Sequence, residues 1–155
     1  MLMIVHSLLG NFFGYWFSSA WILLGLGILS HLILDSIPHW DGPFNRKEFI
    51  ENGKAKIEKL NIFIRTIDVV LVILSLILIY HWFDSEAMLL GAIFALTPDL
   101  IKAGYVLGLK NNRYFLKQLK FHAKIQKDAG WKIGLIVQIL IVVFVIISLL
   151  LIKIG

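Results

Sequence analysis

An all-α integral membrane protein is the fold class this 155-residue sequence predicts. Three observations carry it. Hydrophobic residues make up 59% of the chain, above the roughly 45–50% usual for soluble domains. Mean hydropathy is +0.83, which implies more apolar surface than a soluble domain of this size can hide from water. Apolar runs long enough to cross a bilayer recur, separated by short charged segments. The expected architecture is a single domain, 1–155, with four transmembrane helices, a short N-terminal helix and two basic amphipathic interfacial helices.

Residues 2–17 are apolar and aromatic but short for a span, so they form a tilted or a re-entrant helix. Gly10 and Gly14 make a G-x-x-x-G pattern that admits a close neighbour, and His6 lies one turn before Gly10. Met1–His6 lacks the basic n-region of a signal peptide, so this segment is expected to be retained. The first full span is 19–37, ended by Pro38, which disfavours a helical Ile37. His39 and Asp41 then fall in an Asp-Gly-Pro turn. Segment 44–60 mixes Arg46, Lys47 and Glu48 with Phe44 and Phe49, as an interfacial helix does, and Asn52-Gly53 breaks it. Spans at 62–82 and 87–109 flank an acidic turn, and Gly104 and Gly108 repeat the G-x-x-x-G spacing. A second basic amphipathic segment, 110–128, precedes a last span at 131–152.

Of the fifteen Lys and Arg residues, six lie between Arg46 and Arg65 and seven between Lys110 and Lys132. Two spans separate these groups, so both lie on one side, which the positive-inside rule makes the cytoplasm. The expected location is therefore a bacterial or archaeal inner membrane, multi-pass, with the basic loops cytoplasmic. The net charge of +5 is assigned to these flanks and to anionic lipid, not to nucleic acid.

This orientation brings His6, His31, Asp35, Asp68 and Asp99 to the cytoplasmic leaflet from four separate segments. An unpaired ionisable group at membrane depth costs at least about 2.5–3.5 kcal/mol, so several at one depth require pairing, a metal or a wet cavity. A salt-bridge cluster fits poorly, because acids and neutral histidines dominate and Lys102 is the nearby base. His31 and Asp35 are spaced i, i+4, which stacks both on one helix face as a chelate requires. His39 and Asp41 follow them. With no cysteine in the chain, imidazole and carboxylate donors suit zinc first, then manganese or iron.

The metal candidates are thus His6, His31, Asp35, His39 and Asp99, with Asp35 or Asp41 orienting a water or acting as base. Asp68 is either a supporting acid or a helix-end ion pair with Arg65, and Lys102 is a counter-charge for an anion. His122 is assigned to the surface of its basic segment, with folding back over the site as a lid or ligand the alternative. His81, between Tyr80 and Trp82, belongs to an aromatic belt.

The blocks His31-x3-Asp35-x2-Pro38-His39, His6-Ser7 and Thr97-Pro98-Asp99-Leu100 resemble a family of small bacterial inner-membrane metal-dependent hydrolases that includes a LexA-regulated member. The H-x-x-x-D pair is also similar to that of zinc-dependent phospholipases C. The resemblance implies that His6, His31, Asp35 and Asp99 stand at the family's motif positions. This chain departs from the fuller pattern: His6 stands alone where two histidines are usual, and Ile101 and Lys102 replace an Asp-His after the Pro-Asp motif. That leaves open whether His39 and Asp41 substitute or a single metal binds. The expected function is a membrane-embedded hydrolase with a membrane lipid, a phosphoester, as substrate. The alternatives are a non-catalytic protein that binds or conducts a metal ion or proton, and a scaffold subunit or homo-oligomer joined through its G-x-x-x-G faces.

Overall fold

The computed structural model describes residues 1–40, 42–53, 58–106 and 112–154. Among them are seven helices: α1 Met3–Trp16, α2 Ala20–Ser36, α3 Arg46–Asn52, α4 Lys59–Phe83, α5 Glu86–Val106, α6 Arg113–Ile125 and α7 Trp131–Ile154. The described residues form no strand, and a lone parallel bridge pairs His39 with Asp128. The all-helical class holds. By length and composition α4 and α7 are long and apolar enough to cross a membrane, and α2 is a shorter apolar helix.

Helix α3 ends at the expected Asn52-Gly53 break, where Gly53 adopts the left-handed conformation (φ 69°) and caps it. One boundary differs from expectation. The following long helix starts at Lys59, not at residue 62.

Helix α1 lies at the centre, packed by α2, α4, α5 and α7, with α5 its most extensive neighbour. At 14 residues it is about 21 Å long, less than the roughly 30 Å of a bilayer core. The glycines explain its contact with α5. A Cβ on Gly10 would strike the backbone of Gly91 and Ala92, and one on Gly14 the backbone of Ala87 and Met88. The first G-x-x-x-G face is therefore covered by α5 of the same chain and is not available to a second copy. Gly108 of the other pair lies outside the described residues. Gly10→Leu is expected to lower stability by about 1–3 kcal/mol or more, since backbone cannot retreat as a side chain can. Gly25→Leu, where an added Cβ meets nothing within 4 Å, is expected to stay within about 0.5 kcal/mol. Unfolding in mixed micelles checks both.

Because α1 starts inside the protein, its first amide groups need partners other than water. Leu2 N–H donates to Gln138 Oε1 at 2.8 Å. Met3 and Ile4 N–H donate to the two oxygens of Asp68 at 2.7 and 3.0 Å, and Val5 N–H to Leu2 O at 3.2 Å. Asp68 is thus a cap supplied by α4 to another helix, a role it combines with the expected ion pair to Arg65. Arg65 Nη1 lies 3.8 Å from it, a looser contact than the two amides.

On the same side, α3 and α6 pack through Phe49, Leu119 and Ala123, with Ile101 of α5 against them. Asn45 and Asn112 cap the starts of these helices with their side-chain oxygens. The chain leaving α6 then runs beside the end of α2: Lys127 N–H donates to Asp35 O, His39 N–H to Lys127 O, and Ala129 N–H to His39 O. This pairing fastens α6 over the point where α1, α2 and α5 meet.

Candidate metal centre

Asp35 sits at that point, fully buried in the last turn of α2. One oxygen, Oδ2, faces His31 Nε2 at 3.4 Å and His122 Nε2 at 3.1 Å, and accepts from Gln126 Nε2 at 2.7 Å. The other, Oδ1, faces His6 Nε2 at 3.3 Å and His39 Nε2 at 3.9 Å. The amino nitrogen of Met1 is 2.5 Å from Oδ1 and 2.6 Å from His39 Nε2. His6, His31 and His39 are each at most 1% exposed.

Backbone carbonyls orient two of these rings. His31 Nδ1–H donates to Ala95 O and His39 Nδ1–H to Ile37 O, each at 2.8 Å. With the proton on Nδ1, each ring turns an Nε2 lone pair toward Asp35, the arrangement metal-ligating histidines adopt. Ala95 lies one turn before Pro98, which sits inside α5, lacks an N–H and so loosens the helical ladder there. His6 stacks on His31 with centroids 3.8 Å apart.

Asp99 joins from α5: its Oδ1 is 3.9 Å from His31 Nε2 and 2.5 Å from Lys102 Nζ. Lys102 Nζ is also 4.0 Å from Asp35 Oδ2 and is partly exposed, so it presents a positive charge at the rim.

His122 requires a correction. It is buried against Asp35 and His31, with its Nε2 3.1 Å from His31 Nε2, and is not a surface residue. Burial holds its imidazole below the ordinary range against the opposing pull of Asp35. His39, expected in an interfacial turn, is likewise buried in the centre. Asp41 lies outside the described residues. His81 is exposed in the last turn of α4. Gln126 and Gln138 were not anticipated as functional. Gln138 is an isolated amide in an apolar run, and Gln126 follows His122 by four residues; those were the available signals.

The described residues thus contain two overlapping groups able to hold a metal ion: His31, Asp35 and His122, and His6, His31 and Asp99. Beside them, a cleft of about 320 Å³ between α3 and α6 is bordered by Arg46, Lys47, Lys124 and the single acid Glu51, and reaches Gln126, the partner of Asp35. Arg46 is held there by Asp128 at 2.8 Å.

No protein-family model, curated protein or solved structure matches this sequence.

Proposed function

We propose that this chain is a membrane-embedded, metal-dependent hydrolase of lipid phosphoesters, working at the cytoplasmic face of a bacterial or archaeal inner membrane. The observation that carries the reading is the triangle His31 Nε2, His122 Nε2 and Asp35 Oδ2, with edges of 3.1, 3.1 and 3.4 Å. Donor atoms around a tetrahedral zinc ion, at about 2.0–2.1 Å from the metal, stand about 3.3 Å apart. Three protein donors leave a fourth position for water or substrate, as catalytic sites do. Two imidazoles that face each other and a carboxylate, deep in the protein, gain a common partner in a cation.

A divalent ion held there supplies Lewis acidity toward a phosphoryl oxygen and lowers the pKa of water. The chain's own residues do the rest. Ala95 O fixes the tautomer of His31, Gln126 orients Asp35, and Lys102, steadied by Asp99, offers positive charge to an anion. The basic cleft between α3 and α6 is suited to a phosphate-bearing headgroup.

The membrane setting, with four spans and cytoplasmic basic loops, draws support from the surfaces of α4 and α7. Only 11% and 17% of their most apolar windows are buried, the reverse of a core helix in a soluble protein. The likeness of the His31-x3-Asp35 and Pro98-Asp99 blocks to the small inner-membrane hydrolases points the same way.

Elemental analysis of detergent-purified protein is the first test, and zinc in at least stoichiometric amount is expected. Release of phosphate or alcohol from phospholipid or polyprenyl phosphate in mixed micelles should then fall at least about 100-fold on chelation and return with zinc. Absence of any stoichiometric metal would sink the proposal. Bound metal without turnover of any phosphoester would leave an ion-binding protein.

A further inference from the structure

We infer that the outer face of α6 is a docking surface for the headgroups of anionic phospholipids. The inference rests on the membrane setting proposed above and on none of the metal chemistry. Helix α6 carries Arg113, Lys117, Lys120 and Lys124 and has no acid within its span. Its two faces have separate uses. Leu119, His122 and Ala123 are buried, and on that side His122 and Gln126 reach Asp35. Arg113, Tyr114, Lys117, Gln118, Phe121 and Lys124 are exposed. Their spacings of three, four, seven and eight residues gather them into one stripe on the opposite side.

The chemistry of this stripe selects its occupant. Tyr114 is 86% exposed and Phe121 60%, so neither ring is spent on the core. Aromatic rings set among cations suit the boundary between acyl chains and headgroups, where rings settle and cations meet phosphate. A stripe with three cations and no acid favours lipids of net negative charge over zwitterionic ones. Helix α3, across the cleft, has no such bias, since Glu48 and Glu51 offset Arg46 and Lys47. A helix with its side chains is about 10–12 Å across. Headgroups on the outer face of α6 would therefore lie about that far from Asp35, which touches the inner face. The centre is thereby held next to the layer that supplies a lipid phosphoester.

The test exploits the absence of cysteine from the chain, which lets one fluorophore be attached at one chosen position. Full-length Gln118→Cys, labelled on the stripe, is reconstituted into phosphatidylcholine vesicles. Phosphatidylglycerol or phosphatidylcholine bearing a nitroxide quencher is then added in increasing proportion. Half-maximal quenching is expected at a mole fraction at least about fivefold lower for phosphatidylglycerol, the worth of about one lysine at an anionic surface. High salt should shrink that preference, and so should Arg113→Gln with Lys117→Gln, exposed changes that leave the fold intact. A second labelled variant, Phe144→Cys on the exposed face of α7, is expected to be quenched by both lipids alike. Equal quenching by the two lipids at position 118 would overturn the docking surface and leave the membrane setting standing. Quenching at 144 with none at 118 would also overturn it and give that face to water or to a protein. No quenching at either position would overturn the docking surface and the membrane setting together.

Discussion

Asp35→Asn is expected to abolish stoichiometric metal binding while leaving the helical content of the protein intact. Asparagine matches the shape of aspartate and keeps an oxygen for Gln126, so packing around the last turn of α2 survives. What it loses is the negative charge, and that charge is the common neighbour of His6, His31, His39 and His122. Replacing even an outer-shell partner of a metal typically costs about 10–100-fold in affinity or activity, and Asp35 is a direct donor. A loss of more than about 100-fold in zinc affinity is therefore expected, with phosphoester turnover lost alongside it. Calorimetric titration of the stripped variant and circular dichroism of the same sample measure both. A variant that binds zinc as the wild type does would refute Asp35 as the hub of the centre.

Asp68→Ala should lower stability strongly although it lies outside the centre. Its carboxylate accepts from the amides of Met3 and Ile4. Alanine would strand two backbone donors where little water reaches. Each buried donor left unsatisfied costs about 1–3 kcal/mol, so a loss of about 2–6 kcal/mol is expected. Asp68→Asn, which keeps one acceptor, should fall between alanine and the wild type. His6 lies on the turn that Asp68 caps, so zinc affinity should weaken in the same order. Denaturation in mixed micelles reads the first effect and metal titration the second. Equal stability of Asp68→Ala and the wild type would show that the amides find other partners.

Much of the helical layout was legible because its signals are local. Pro38 follows the end of α2, Asn52-Gly53 ends α3, and Gly10 and Gly14 mark a close approach that α5 fills. His31 and Asp35 could be paired because i, i+4 spacing has a fixed meaning on a helix. The placement of His122 was not legible. Its basic amphipathic segment suits a surface helix equally well, and what turns it inward is backbone pairing of residues 127–129 with 35–39, contacts distant in sequence. The capping role of Asp68 was not legible for a related reason. A buried acid suggests chemistry or an ion pair, and nothing in the residues around it says that its partners are amides of another helix. Gln138 escaped notice in the same way.

The shared cap at the start of α1 also bears on how the chain assembles. The acceptors for its first amides lie 65, 64 and 136 residues further along, and the last of them is on α7. During synthesis α1 emerges before α4 and α7 exist, with its leading amides lacking their eventual partners. Buried away from water, amides in that condition are costly, so they stay hydrated until those partners exist. Helix α1 is thus seated after α7 has been made, and His6 reaches the centre only then.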